Sequence, residues 1–129
     1  MNKKLLLRVK AQILAEPKQF IMGTWYTNFP DIFDGDLWEG VKVPNCGTAA
    51  CIAGWIVALH NNIKLNKAIG GHGTAAMYLN IRRYEANRLF YVENWPGDLR
   101  ARWDNAKSLE ERAQIAAERI DRFIAEHDK

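Results

Sequence analysis

The sequence is short of several things. It holds two cysteines and four prolines in 129 residues. Two thiols make no disulfide scaffold. Cys46 and Cys51 stand five positions apart, which is not the spacing of a CxxC redox pair. Nine glycines and four prolines exclude a collagen-like or low-complexity chain. Long apolar runs are missing too. The longest near-unbroken stretch, Ala49 to Leu59, has 11 residues, too short to span a bilayer and suited to a buried core helix. Lys3 and Lys4 mimic the start of a signal peptide, but Arg8 cuts the apolar stretch after Leu7. A cytoplasmic location with reduced thiols is expected. Charge of one sign is scarce. The net charge is +3. Five basic residues against Glu16 in residues 1–30 are followed at once by Asp31, Asp34, Asp36 and Glu39. No block of like charge is long enough for a nucleic-acid arm. Neither a membrane nor a nucleic-acid partner is expected.

What is present describes one globular helical domain over residues 1–129. Apolar residues make up 48% and charged residues 26%, and five tryptophans supply bulk for a core. Leu6, Val9 and Ile13 share one face of a helix predicted over residues 2–15. Pro17 fits its stop, and Lys18 to Trp25 is expected to form a short second helix. Residues 26–45 are rich in turn signals and aromatics, with Trp38 among them. They are expected to form an irregular loop over the core or over a site, with a minor β element at Trp38 to Val43. Thr48 to Leu59 reads as a central helix, apolar nearly all round. Ala50, Gly54 and Ala58 would form a smooth strip along it, for a closely packed neighbour or a homo-oligomer contact. Thr74 is expected to cap a short helix over Ala75 to Leu79. Another helix follows from Arg83 to Tyr91, with Ala86, Leu89 and Phe90 inward. The next carries Leu99, Trp103 and Ala106. Ser108-Leu109-Glu110-Glu111 reads as a capping box opening the last helix. There Leu109, Ala113, Ala116, Ala117, Ile120, Phe123 and Ile124 follow the inward period, and Arg112, Glu118, Arg119, Asp121 and Arg122 face out. The fold class is therefore all-α.

Four groups of residues have chemistry to offer. Cys51 would sit in the first turn of the central helix, where the positive end of the dipole favours a thiolate. His72 is the base that a folded-back loop would bring to it. His60 lies nine residues from Cys51, about 13.5 Å along a helix, and cannot serve it. The plain alternative is that Cys51 is a small core residue. Cys46, Cys51, His60 and His72 have ligand types suited to zinc, but their spacings match no standard zinc site. No metal and no cofactor are expected. Gly70-Gly71-His72-Gly73-Thr74 leads into a helix, so backbone amides can face an anion. No lysine follows as in a phosphate-binding Walker loop, and no strand precedes as in a dinucleotide fingerprint. Finally, Arg82, Arg83, Arg88, Arg100 and Arg102 lie near Trp95 and Trp103. They offer phosphate contacts or, with the nearby acids, an ordinary salt-bridged surface.

Cys46-Gly47-Thr48-Ala49-Ala50-Cys51-Ile52-Ala53-Gly54 resembles the Cys-Gly-Thr-x-x-Cys-x-Ala-Gly core of a family of small bacterial and phage proteins with no established activity. Leu89-Phe90, Trp95-Pro96 and the run Ser108 to Ala113 match its weaker downstream motifs, so the resemblance covers residues 46–124. It brings no catalytic residues. It implies a bacterial or phage origin, where small proteins often sequester or inhibit host components.

The expected function is non-catalytic binding of a small, anionic, nucleotide-like ligand. Gly70, Gly71, Gly73 and Thr74 would supply donors, and His72, Arg82 and Arg83 charge. Trp38 or Trp55 would stack, beside Cys51. The alternatives are a protein–protein inhibitor that meets a host protein through the aromatic loop, and a cysteine-dependent hydrolase or transferase using Cys51 and His72.

Overall fold

A computed structural model describes residues 1–20, 26–28, 48–62 and 72–127. Within them lie six α-helices and one two-stranded antiparallel ladder. The helices are α1 (Lys3–Ala15), α2 (Ile52–Asn61), α3 (His72–Leu79), α4 (Arg83–Phe90), α5 (Gly97–Asp104) and α6 (Leu109–His127). The strands are β1 (Tyr26–Asn28) and β2 (Thr48–Ala50), in register Tyr26↔Ala50, Thr27↔Ala49 and Asn28↔Thr48. The fold is all-α with this one small ladder.

Helix α2 is the centre. Every residue from Cys51 to Ala58 is buried, so the helix needs neighbours on all sides. Helices α1 and α3 supply most of them, and α6 closes on α1. Leu6, Val9 and Ile13 of α1 are fully buried, as the 3.6-residue period requires. Asn2 caps α1: its side-chain oxygen accepts from Leu5 N at 3.1 Å. It also fastens α1 to the end of α3, because Asn2 N donates to Leu79 O at 2.7 Å. The capping box of α6 forms with a shift. Ser108 Oγ accepts from Glu111 N at 3.1 Å, while the Glu111 carboxylate accepts from Lys107 N at 2.8 Å, one residue earlier than the usual partner.

Several expectations are corrected. The central helix begins at Ile52, not Thr48, because Thr48–Ala50 satisfies its backbone across the ladder to β1. Cys51 is its extended N-cap (φ −79°, ψ 178°) rather than a first-turn residue. Ala50 therefore leaves the strip it was expected to share with Gly54 and Ala58. Helix α3 starts at His72, so Thr74 lies inside the first turn and is not its cap. The helix expected from Lys18 is a three-residue 3₁₀ turn, Pro17–Gln19, after which Phe20 is extended and buried. Its remainder, Ile21 to Trp25, lies outside the described residues, as do most of the 26–45 loop and the Trp38–Val43 segment. Arg119 is the largest reversal. The periodic pattern puts it on the solvent face of α6, yet it is 1% exposed. Its guanidinium donates to Arg88 O and to the Glu126 carboxylate, both at 3.2 Å, and lies 5.5 Å from the centre of the Phe123 ring. A buried cation is tolerated when carbonyl and carboxylate oxygens replace water.

The turn between α3 and α4 decides how these two helices meet. Asn80 adopts a left-handed conformation (φ 59°). Ile81 N reaches back to Ala76 O at 3.2 Å and Asn80 N to Met77 O at 3.0 Å. This is a Schellman ending, with asparagine where glycine is commonest. It reverses the chain within three residues and lays α4 against α3. Asn80→Gly is expected to leave stability within a few tenths of a kcal/mol, while Asn80→Ala costs about 1 kcal/mol through left-handed strain. Urea denaturation of both variants checks the difference.

Candidate functional site

The reversal at Asn80 creates an open cleft of about 660 Å³ between α3, α4, the start of α1 and the end of α6. That volume lies in the range of small-molecule sites. Gly73, Arg82 and Arg83 line it, together with Ala76, Met77 and Ile81 as apolar wall and Glu85 and His127 as a polar pair.

The local sequence explains the placement. Arg82 is the N-cap of α4, extended at φ −74° and ψ 150°, and offers no side-chain acceptor to the helix amides. Arg83 is the first helical residue. Its Nη1 lies 3.8 Å from the place where a Cβ on Gly73 would stand. The guanidinium therefore hangs over the first turn of α3. No acidic residue occupies that turn. A helix start carries positive partial charge. Two exposed arginines and the positive end of α3 thus gather at one cleft. Among the described residues neither arginine has a carboxylate partner, although Lys10, Arg102, Arg119 and Arg122 all have one.

The same cleft holds a fixed acceptor. His127 Nε2 lies 3.0 Å from Glu85 Oε2, and His127 Nδ1 lies 2.9 Å from Phe123 O. Both partners only accept, so each ring nitrogen bonds its partner through a hydrogen that it carries. The other oxygen of Glu85 has no partner among the described residues. Position in the chain alone puts His127 in a frayed terminus. Its ring is instead packed 4.2 Å from the Phe123 ring and holds the end of α6 to α4. A signal is present in the sequence: His127 continues the inward period of Ile120, Phe123 and Ile124. Glu85 gives none, because a carboxylate in a first turn is ordinary.

The other expected site residues are elsewhere. Cys51 and Trp55 belong to the core, at 2% and 7% exposure, and neither lines the cleft. Thr74 is half-buried and does not line it either. Gly70, Gly71, Trp38, Cys46 and the side chain of His72 lie outside the described residues. His60, at the far end of α2 from Cys51, stacks on Tyr78 with ring centres 3.7 Å apart. The arginine group divides as well. Arg102 pairs with Glu118. Arg100 borders a second cleft of about 340 Å³ with Glu93 and Asp104. Trp95 donates to Leu89 O at 2.8 Å and packs edge-on against Trp103, which lies under the Arg112 guanidinium. These aromatics are core anchors.

No family model, curated protein or solved structure matches this chain. Among the described residues no helix is long and apolar enough to cross a membrane, and no group of three metal-ligating side chains gathers.

Burial pushes the Cys51 thiol up, and the nearby amides of Gly54, Ala53 and Cys51 offset this only in part. A raised thiol with no access is a poor nucleophile. In a Cys46→Ser variant, which leaves Cys51 the single thiol, iodoacetamide at pH 6.5 should label the native protein at least about tenfold more slowly than the urea-unfolded chain. Rapid stoichiometric labelling of the native state would restore the cysteine-enzyme reading.

Proposed function

We propose that this protein is a small non-catalytic binder that holds an anionic, nucleotide-like ligand in the α3–α4 cleft. One observation carries the reading. Arg82, Arg83 and the start of α3 bring positive charge to the same place, and no carboxylate among the described residues pairs with either arginine, Glu85 of the same cleft included. Like charges crowded together cost stability, and an anion seated between them removes that cost. Arginine suits this task, because its planar fork matches the oxygens of a phosphate or carboxylate. The first amides of α3 and α4 add donors of the same polarity. A bacterial or phage setting and a cytoplasmic location complete the proposal, and a host molecule is the natural ligand there. The aromatic-loop reading, in which the partner is a host protein, depends on residues outside the described set and has no comparable support.

The site makes stability and binding move in opposite directions. Gly73→Glu places a carboxylate in the first turn of α3, next to the Arg83 guanidinium. It should raise stability by about 0.3–1 kcal/mol through the helix dipole alone, and further by removing glycine from a helix. It should also occupy the anion position. Arg82→Ala and Arg83→Ala should each weaken phosphate binding about tenfold or more, the value of a charge-assisted hydrogen bond. Native mass spectrometry of the purified protein, then calorimetric titration with inorganic phosphate and AMP, reads both effects. Unchanged affinity in all three variants would sink the proposal.

A further inference from the structure

The cleft is far larger than a phosphate group needs, and its chemistry is not uniform. Arg82 and Arg83 are positive. Ala76, Met77 and Ile81 form an apolar stretch, with Met77 67% exposed. Glu85 is a carboxylate set in the same cleft, and it does not pair with either arginine. One of its oxygens is held by His127 at 3.0 Å. His127 is itself held at 2.9 Å by the Phe123 carbonyl. The carboxylate is thus fixed by a chain of contacts running into α6, and its second oxygen has no partner among the described residues. A site for a simple anion has no use for a fixed carboxylate, which repels the ligand. It fits a ligand that is anionic at one end and carries a hydrogen-bond donor at the other.

We infer that the cleft takes a phosphate monoester bearing a flat apolar body and an amino group, the chemistry of an aminopurine nucleoside monophosphate. The phosphate meets Arg82 and Arg83, the ring lies against Ala76, Met77 and Ile81, and the amino group donates to Glu85. Glu85 thereby sets specificity, while the arginines set affinity for the anion. This rests on the anion-binding reading above and adds the identity of the ligand's other end.

The test compares three probes by calorimetry: inorganic phosphate, AMP, and purine riboside 5′-monophosphate, which is AMP without its amino group. On the wild-type protein AMP should bind about ten- to a hundredfold more tightly than the analogue, the worth of one hydrogen bond to a charged acceptor. Glu85→Gln keeps an oxygen for His127 and turns an amide NH₂ toward the ligand. It should bring the two nucleotides to within about twofold of each other, by removing that same hydrogen bond, and leave phosphate binding intact or slightly tighter. Equal affinity of the wild type for AMP and its analogue overturns the inference and leaves the anion site standing. So does an AMP preference that survives in Glu85→Gln. Phosphate binding with no gain from either nucleotide also overturns it. If none of the three probes binds, the anion-site reading falls with it. The wild-type comparison needs no variant, so a misfolded Glu85→Gln protein does not rescue the idea.

Discussion

Covering helix α2 is the constraint that dictates the arrangement. A helix buried from Cys51 to Ala58 cannot lie at a surface, and its apolar residues lose their stabilising effect unless every side meets a neighbour. Helices α1 and α3 take two of those sides. Helix α6, buried along Ala113, Ala116, Ile120 and Phe123, then backs α1 and reaches α4. Once α3 is fixed against α2, the left-handed turn at Asn80 determines where α4 goes. The cleft is what remains between α3, α4 and the ends of α1 and α6. It is a consequence of packing.

The charged surface holds cations in two kinds of setting. Lys10 bridges to Asp121 and ties α1 to α6. Arg122 grips Asp98 with two nitrogens and ties α6 to α5. Even the buried Arg119 finds a carboxylate and a carbonyl. Each of these cations is placed where the fold supplies an answer. Arg82 and Arg83 have no carboxylate partner among the described residues, and they stand next to a helix start of the same sign. Exposed ion pairs contribute little to stability, so their absence costs little by itself. The informative feature is position: two cations and a helix terminus converge on a concave surface instead of pointing apart into solvent.

Much of this is legible in the chain. Helices α1 and α6 announce themselves by period, because one face of each meets a core and the other meets water. Of the residues that the sequence offers to an anion, Gly73, Arg82 and Arg83 line the cleft and Thr74 does not. The failures have physical causes. Thr48 to Ala50 is apolar enough to extend the central helix on paper, but a ladder partner well upstream, Tyr26–Asn28, claims its backbone, and pattern within a window cannot see that partner. Arg119 breaks the binary pattern of α6 because its guanidinium has oxygens to replace water, which no periodicity records. His127 looks terminal, yet the Phe123 ring and the Glu85 carboxylate together hold it. Trp55 and Cys51 carry chemical promise by residue type alone. Both are absorbed by the demand for core around α2.

Glycine at position 73 joins these strands. In a helix it costs up to about 1 kcal/mol against alanine. An added Cβ would only touch Arg83 at an ordinary contact distance, so crowding does not demand glycine there. Packing therefore gives no reason to accept that cost, and neither does backbone strain, since no left-handed angle is required. What glycine does provide is bare backbone beneath a guanidinium, at the end of a helix where amides point outward. A side chain would lie between those amides and anything held by Arg83. A weakened first turn and two arginines without a carboxylate partner among the described residues are each a small loss of stability, and both occur at the same cleft. These small losses coincide in space, and a ligand that recovered them on binding would account for both.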